Sequence, residues 1–196
     1  MREDEPRQVW SQPRIRAATE ADVPAIVGIY VRAYAQPPWD EHNDPTQSEE
    51  YLRWVMTVPD TQCLVSVEPG GISGAAGAVA GFVLAGPRAY ERFVEDWERL
   101  AQRPPQGWPV VPGRLGYIWE IAVEPGLQRR GHGSALMGAA IEALRRQGVE
   151  TVLLRSSERA EAAIALYRRF GFRRLPIREI RDPLAGPWLL PIHTVR

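Results

Sequence analysis

The stretch Trp119-Glu-Ile-Ala-Val-Glu-Pro-Gly-Leu-Gln-Arg-Arg-Gly-His-Gly-Ser134 joins an apolar segment to a helix through a glycine-bearing loop. Residues 116–123 are rich in aromatic and β-branched side chains, which predicts the strongest strand of the chain. Apolar side chains recur at helical spacing over residues 135–146, and Gly148 follows where such a helix would end. The sequence therefore predicts a strand, a loop and a helix in immediate succession.

The loop of this unit has the composition of a phosphate-binding turn. Gly131 and Gly133 carry no side chain, so a ligand can approach the backbone closely. The first N–H groups of the following helix lack intrahelical partners and carry the positive end of the helix dipole, so they can hold a pyrophosphate without a lysine. Ser134 can add a hydroxyl donor, and Arg129 and Arg130 add charge. By itself the glycine spacing favours an ordinary tight strand–helix turn, so the wider context has to decide.

The segments on either side of this unit predict a sheet flanked by helices. Alternation and turn residues predict strands at residues 14–18, 62–68, 78–85, 116–123, 151–154, 172–177 and 187–195. Helical spacing predicts helices within residues 19–36, at 47–57, 135–146 and 158–169, and in an insertion. The order is βααββ(insertion)βαβαββ, which predicts a mixed α/β or α+β sheet domain.

The domain organisation follows from the polar and proline-rich stretches. Residues 1–12 are expected to be a flexible tail, and residues 13–196 are expected to form one domain. An insertion is expected at about residues 86–113, where a helical pattern over 88–103 runs into Arg-Pro-Pro-Gln-Gly-Trp-Pro-Val-Val-Pro-Gly. Its prolines exclude a regular helix or a central strand there.

The composition excludes several classes of chemistry. All 24 basic residues are arginine, which rules out a P-loop with its phosphate-binding lysine and a Schiff-base lysine. A single cysteine, Cys63, and three well-separated histidines predict neither a disulfide framework nor a metal site. There is no run of eighteen apolar residues, so no membrane span is expected. The polar, acidic N-terminus lacks the features of a signal peptide, and a cytoplasmic protein is expected.

The net charge of zero conceals two opposed parts of the chain. Residues 1–60 hold 6 arginines and 11 acidic residues, whereas residues 128–196 hold 13 arginines and 6 acidic residues. The chain is not basic throughout, so a nucleic-acid partner is not expected. The basic C-terminal part could hold a phosphorylated small molecule, although ordinary solvated helix faces are the better interpretation for most of these arginines.

Three segments together resemble the GNAT superfamily of N-acetyltransferases. Gln128-Arg-Arg-Gly-His-Gly133 matches the family's acetyl-CoA-binding pattern Q/R-x-x-G-x-G/A, and it follows an apolar strand ending in Val123-Glu-Pro125, as in the family. Residues 163–172 resemble the family's A-x-x-L-Y-x-x-x-G-F segment, and residues 16–22 resemble its opening strand and helix entry. The match covers most of residues 14–177 in the correct order, but not the insertion or the last twenty residues.

The resemblance implies both a fold and a co-substrate. The fold would be a mixed, mostly antiparallel central sheet with splayed middle strands, flanked by helices. The co-substrate would be acetyl-CoA, with its pantetheine arm along the strand backbone and its pyrophosphate against the N–H groups of the loop. The cofactor-binding residues implied in this way are Ile121, Ala122, Val123, Gln128, Arg129, Arg130, Gly131, His132, Gly133, Ser134 and Tyr167.

The resemblance also implies direct acetyl transfer to an amine, with two catalytic candidates. Tyr167 would protonate the leaving thiolate, whereas a packed aromatic on a helix face is the ordinary interpretation of such a residue. A protonated amine must lose a proton before it attacks, and Glu120 is the candidate base. The family's carboxylate often lies one position earlier, at Trp119, and alternation would turn Glu120 to the other face unless a β-bulge intervenes. A structural carboxylate is therefore the alternative for Glu120.

In this family the loop between the first two helices often borders the acceptor site. The candidate acceptor-binding residues there are Tyr34, Trp39, Asp40 and Glu41. Aromatic rings and carboxylates suit a cationic amine, although an ordinary acidic surface loop remains the alternative. Trp97 and Trp108 of the insertion would either cover the acceptor cleft or pack the insertion down.

These observations predict an acetyl-CoA-dependent N-acetyltransferase that acts on an amine, with a small molecule as the expected acceptor. Two alternatives stay open, a non-catalytic acyl-CoA-binding sensor and a protein or peptide N-acetyltransferase. No nucleic-acid or membrane partner is expected. Homodimers are frequent in the family, so the resemblance allows one here.

Overall fold

The computed structural model describes residues 12–68, 77–101, 113–175 and 185–192. The strands are β1 (Arg14–Ala17), β2 (Gln62–Val67), β3 (Val79–Pro87), β4 (Arg114–Val123), β5 (Val149–Ser157), β6 (Arg173–Arg174) and β7 (Ala185–Pro191). The α helices are α1 (Val23–Tyr34), α2 (Pro45–Thr57), α3 (Tyr90–Ala101), α4 (His132–Arg146) and α5 (Glu161–Arg169). None of the helices within the described residues is long and apolar enough to cross a lipid bilayer.

One sheet contains all seven of these strands, in the order β1-β2-β3-β4-β5-β7-β6. Only β4 and β5 run parallel, and every other pair is antiparallel. The parallel pair is joined from Arg114 to Ile118 on β4, and among the described residues β4 beyond Ile118 pairs only with β3. The prediction of a mixed, mostly antiparallel sheet with splayed middle strands is therefore confirmed.

The helices cover both faces of the sheet with their apolar stripes. On one face α4 buries Leu136, Met137 and Leu144 against Val152 and its neighbours. On the other face α1 and α2 bury residues such as Ile26, Leu52 and Val55 against β2 and β3. The position of each helix follows from the 3.6-residue period of its apolar side chains.

A β-bulge in β4 resets the alternation of its side chains. Leu84 of β3 pairs with Glu120, but the next residue, Ala85, pairs with Ile118, so Trp119 is the extra residue on β4. Ile118 and Ile121 consequently pack on the α4 face, although three positions separate them. Trp119 and Ala122 pack with α1 and α2 on the opposite face. On strand alternation alone, Glu120 would face away from the site unless a β-bulge intervened, and β4 contains such a bulge.

The observed ends of several elements differ from the predicted ones, for local reasons. Helix α2 begins at Pro45 rather than 47, since the Asp44 carboxylate caps it by accepting a hydrogen bond of 3.0 Å from the Gln47 N–H. Strand β3 extends to Pro87 and pairs with β4, so residues 86 and 87 lie in the sheet rather than in the insertion.

The C-terminal strands also differ from the prediction. Strand β5 continues to Ser157 instead of ending at residue 154, because its last residues pair with β7. Strand β6 contains only Arg173–Arg174, and β7 begins at Ala185 rather than at 187. Residues 176–177 and 193–195, which belong to the predicted strands, lie outside the described residues.

Candidate active site

A cleft of about 1490 Å³ lies where β4 and β5 diverge. Its walls are the exposed part of β4, the loop before α4, helix α5 and the first two helices with their connecting loop. The divergence of two neighbouring strands leaves β4 backbone groups accessible from the cleft, because strand pairing does not use them on that side. One cleft therefore joins the predicted cofactor loop to the predicted acceptor loop.

The loop before α4 takes a conformation that requires glycine. Arg129 has a φ of 65° and Gly131 a φ of 91°, which is the left-handed region that L-residues with a Cβ adopt at a cost. Gly131 is the residue directly before α4. The first N–H groups of the helix, which have no intrahelical acceptor, therefore lie next to it. The members of the predicted cofactor-binding loop that line the cleft are Gln128, Arg129, Gly131, Gly133 and Ser134.

The side chain of His132 points away from the cleft, although its neighbours line it. It is 3% exposed, and its Nδ1 and Nε2 atoms lie 2.6 Å from Ser66 Oγ and 2.7 Å from Glu68 Oε1. Only its backbone is therefore placed to contact a ligand in the loop. Arg130 is likewise not among the residues that line the cleft.

Arg169 adds a positive charge to the loop that the sequence interpretation missed. Its guanidinium donates a hydrogen bond to the Ser134 hydroxyl, and both side chains line the cleft. Arg169 is the last residue of α5. The sequence interpretation missed it because no sequence pattern at the end of one helix indicates a contact with another helix. Together with Arg129 it places two guanidinium groups near the start of α4, where a pyrophosphate would lie.

Glu120 is a buried carboxylate held by two tyrosines. It is 9% exposed, and it accepts hydrogen bonds of 2.5 Å from the Tyr34 hydroxyl and 2.7 Å from the Tyr51 hydroxyl. Burial raises its pKa to about 7, while the two hydroxyl groups act in the opposite direction by stabilising the anion. The nearby carboxylate of Glu41 adds to the rise, and Arg155 opposes it. A carboxyl group with this pKa can gain or lose a proton near neutral pH.

Five aromatic side chains form one side of the cleft next to Glu120, and we call them the aromatic wall: Tyr30, Tyr34, Trp39, Tyr51 and Trp54. Successive rings of the wall lie 4.6 to 6.3 Å apart between centroids. Trp54, at the rim, is 56% exposed. Faces of aromatic rings next to a carboxylate form an environment that attracts organic cations.

The structure places three of the four predicted acceptor residues in the cleft. Tyr34, Trp39 and Glu41 line it, whereas Asp40, which has a φ of 49°, is not among the lining residues. The sequence interpretation missed Tyr30, Tyr51 and Trp54. Tyr30 precedes Tyr34 by one helical turn, a spacing that places both on the same face of α1 and that could have identified it.

Tyr167 lies inside the cleft and is also packed in the core. It is 6% exposed, and its ring lies 6.0 Å from Phe172 and 6.2 Å from Trp188 between centroids. Burial raises its pKa to about 12, an effect that the nearby Ser156 side chain partly offsets and that the charge of Glu120 reinforces. The phenol therefore stays protonated at neutral pH, as an acid catalyst requires.

The far side of the cleft is formed by β4 and the segment before α3. The guanidinium of Arg88 lies 5.5 Å from the ring centre of Tyr117 and 5.7 Å from that of Trp119. The side chain of Trp97 and the whole of Trp108 lie outside the described part of the chain, so their predicted roles stay predictions. Within the described residues, no three His, Cys, Asp or Glu side chains are grouped as a metal ion would need.

Comparison with protein families identifies one match, which covers most of the chain. The profile of the Acetyltransferase (GNAT) family matches residues 24–172. This range includes the loop before α4, the bulge in β4, and α5 with Tyr167.

Curated relatives match shorter segments. Mycothiol acetyltransferase of Salinispora tropica is 35% identical over 96 residues, which are 48% of this chain and 29% of that protein. The [ribosomal protein bS18]-alanine N-acetyltransferase of Escherichia coli is 43% identical over 61 residues, which are 31% of this chain and 41% of that protein. In both cases the chain matches less than half of the relative's length.

Solved structures share the fold along most of the chain. The structure of yncA from Salmonella typhimurium, determined with its cofactor acetyl-CoA, superposes with a TM-score of 0.64 at 20% identity. The superposition covers 95% of this chain and 98% of that structure. At this identity the likeness demonstrates the common fold.

Proposed function

Because the chain belongs to the Acetyltransferase (GNAT) family, we propose that it transfers an acetyl group from acetyl-CoA directly to a cationic amine bound at the aromatic wall. Membership confirms the predicted family, and the acyltransferase activity with acetyl-CoA as the co-substrate is proposed on that basis. The acceptor and the roles of individual residues belong to the proposal. The observation that carries it is a buried carboxylate with a pKa of about 7 in the same cleft as the glycine loop.

Acetyl-CoA fits the half of the cleft that the glycine loop borders. The N–H groups at the start of α4, supported by Arg129 and Arg169, would hold the pyrophosphate. The backbone of residues 121–123, which lies beyond the paired part of β4, would hydrogen-bond the pantetheine arm as an added strand does. The thioester would then lie in the cleft between Glu120 and Tyr167, both of which line it.

Glu120 would act as the general base. An amine is protonated at neutral pH, and it can attack the thioester carbon only after one proton has moved to the carboxylate. A carboxyl group with an ordinary pKa would be too weak a base for this step, whereas burial makes the Glu120 carboxylate a better acceptor. The hydroxyl groups of Tyr34 and Tyr51 fix the orientation of the carboxylate.

Tyr167 would act as the general acid. As the C–N bond forms and the C–S bond breaks, the departing thiolate takes the phenolic proton. The second proton of the attacking nitrogen restores the phenol, so that one proton per turnover leaves through Glu120. No covalent bond to the enzyme is formed, and the catalytic gain comes from proximity and from the positioned acid and base.

The aromatic wall favours a small cationic acceptor. Tyr30, Tyr34 and Tyr51 present their rings close to Glu120, which suits an ammonium group more than a carboxylate or a phosphate. Acetylation of a protein N-terminus is the second candidate. It is supported by the E. coli relative, whose name specifies an alanine of ribosomal protein bS18.

A screen for thiol release tests the proposal. Purified protein is incubated with acetyl-CoA and with polyamines, aminoglycosides, amino-acid amides and short peptides, and free CoA is measured with a thiol reagent. Rapid release with small cationic amines supports the proposal, and release with peptides alone moves the acceptor to a protein N-terminus. Tight binding of acetyl-CoA with no release above the acceptor-free rate would contradict catalysis and favour a sensor.

A further inference from the structure

The first residue of α4 faces a different direction from its neighbours. Gly131, Gly133 and Ser134 line the cleft, whereas the imidazole of His132 lies buried against β2. His132 is thus the one side chain between the two loop glycines, and it anchors the loop to the sheet. The motif itself gives no reason for a histidine there.

The alternation of β2 explains the partners of His132. Leu64 packs against the cluster on the α4 face, and side chains two residues apart lie on the same face of a strand. Ser66 therefore points towards α4, and Glu68 follows it directly after the strand. Ser66 is completely buried, and the side chain of Glu68 is 32% exposed.

The hydrogen bonds of the three side chains form one connected chain. The Glu68 carboxylate only accepts, so Nε2 of His132 donates to it over 2.7 Å. In the neutral ring Nδ1 is then an acceptor, and the Ser66 hydroxyl donates to it over 2.6 Å. Both ring nitrogens are thus hydrogen-bonded in a buried position, where an unsatisfied nitrogen would destabilise the folded protein.

The arrangement has the residue types of a hydrolytic triad but not its accessibility. Ser66 is 0% exposed, and neither Ser66 nor His132 is among the residues that line the cleft. A substrate carbonyl cannot reach the hydroxyl, so nucleophilic catalysis by Ser66 is excluded. The remaining role of Ser66, His132 and Glu68 is structural: they hold the loop before α4 against the sheet.

We infer that Ser66, His132 and Glu68 form a brace that holds the start of α4 in the position that binds the pyrophosphate of acetyl-CoA. The inference rests on the proposed binding of acetyl-CoA at this loop. Gly131 and Gly133 give the loop conformational freedom. A mobile loop loses conformational entropy when a ligand binds, whereas a loop that is already held in place loses less, so its ligand binds more tightly. His132 is therefore a positioning residue that lowers the dissociation constant without touching the ligand through its side chain.

Replacement of the imidazole tests the brace. In His132→Ala the dissociation constant for acetyl-CoA, measured by calorimetry, should rise about tenfold or more, because the loop is no longer preorganised. Hydrogen exchange of the backbone amides over residues 131–135 should accelerate in the free protein. The KM for acetyl-CoA should rise in parallel, while kcat with saturating acetyl-CoA should change much less.

A matched control separates the brace from general loss of stability. Met137 is fully buried on the same helix, more than one turn from the loop, so Met137→Ala should lower the melting temperature but leave the acetyl-CoA dissociation constant unchanged. His132→Gln keeps one donor and one acceptor and should recover part of the affinity. If His132→Ala does not fold, Ser66→Ala takes its place in the experiment. The acetyl-CoA dissociation constant should again rise, but by a smaller factor.

Two results would overturn the inference while leaving the proposed function intact, and a third would overturn both. Equal acetyl-CoA affinity in wild type and in folded His132→Ala or Ser66→Ala would contradict the brace and leave the proposed function intact. Equal loss of affinity in Met137→Ala would show that α4 stability alone is responsible. Failure of the wild-type protein to bind acetyl-CoA would instead contradict the proposed function and the brace together.

Discussion

The hydroxyl of Tyr34, the last residue of α1, donates a hydrogen bond of 2.5 Å to the carboxylate of Glu120 in the bulge of β4. The two residues are 86 positions apart in the chain. This contact links the aromatic wall to the strand beside which the thioester would lie. Tyr34, predicted only as an acceptor-binding residue, thus also contacts the predicted base directly.

Replacing Glu120 with glutamine should remove the base while preserving the shape of the side chain. We expect kcat/KM for the amine to fall by about 10²- to 10⁴-fold, the usual contribution of a positioned acid or base. In the wild type, kcat/KM should rise with pH through about 7, because the carboxyl group must be deprotonated to accept a proton. A pH–rate profile of both proteins checks this, and an unchanged inflection in Glu120→Gln would exclude Glu120 as its source.

Removing the Tyr34 hydroxyl should shift that inflection. The hydroxyl stabilises the carboxylate, so its loss in Tyr34→Phe should raise the pKa of Glu120 above about 7. The acid limb of the pH–rate profile should then move to higher pH. Tyr30→Phe is the control, since the ring lies in the same wall but has no hydrogen bond to Glu120 among those described; its midpoint should stay in place. A shift of equal size in both variants would contradict the specific role of the Tyr34 hydroxyl.

Glu120→Gln should also stabilise the protein at alkaline pH. The folded-state pKa of Glu120 is raised from 4.5 to about 7, so above pH 7 the buried charge costs on the order of 3 kcal/mol of folding free energy, at about 1.4 kcal/mol per pKa unit. The cost decreases as pH falls from 7 and is absent below about 4.5, where both states bind the proton. Denaturant unfolding at pH 8 and pH 4.5 should therefore show an advantage of the variant at pH 8 only. An equal advantage at both values would mean that the charge is not the cause.

The secondary structure and the cofactor loop were predictable because their determinants are contiguous. The pattern of residues 116–123 and the glycines at 131 and 133 lie within one short segment, and the stripe of α4 depends only on helical periodicity. The orientation of Glu120 was not predictable in this way. It depends on the pairing of Leu84 and Ala85 with β4, which inserts one extra residue, and no local pattern in β4 announces a bulge.

The candidate acceptor site was also predictable only in part, because several of its residues come together only in the tertiary structure. Trp39 and Glu41, which were identified from their loop, line the cleft, but Asp40 between them has a φ of 49° and does not. Tyr51 was missed since it comes from α2, and its contact with Glu120 exists only after both helices pack on the sheet. The brace of Ser66, His132 and Glu68 likewise joins segments that only the tertiary structure brings together.

Tyr167→Phe should separate turnover from binding. The variant keeps the ring that packs on Phe172 and Trp188, so the fold and the acetyl-CoA dissociation constant should change little. It lacks the proton for the departing thiolate, so kcat should fall by about 10²-fold or more. The measurement is kcat with a good acceptor beside calorimetric binding of acetyl-CoA. Unchanged turnover would remove Tyr167 from the role of acid and leave it as a packed aromatic.

Alanine at Gly131 and at Gly148 should destabilise the protein similarly but affect acetyl-CoA binding differently. Their φ angles are 91° and 75°, and a Cβ at either site meets no atom closer than 3.8 Å, so in both cases the cost is backbone strain of about 1–2 kcal/mol. Gly148 follows the opposite end of α4 and is not among the residues lining the cleft, whereas Gly131 lines it directly before the first turn.

Relief of the strain at 131 would turn the N–H groups of that turn away from the pyrophosphate position. We therefore expect comparable losses of melting temperature, with a rise of about tenfold or more in the acetyl-CoA dissociation constant for Gly131→Ala alone. Calorimetric titration of the two folded variants decides the matter, and equal affinities would refute the assignment of this loop to the pyrophosphate.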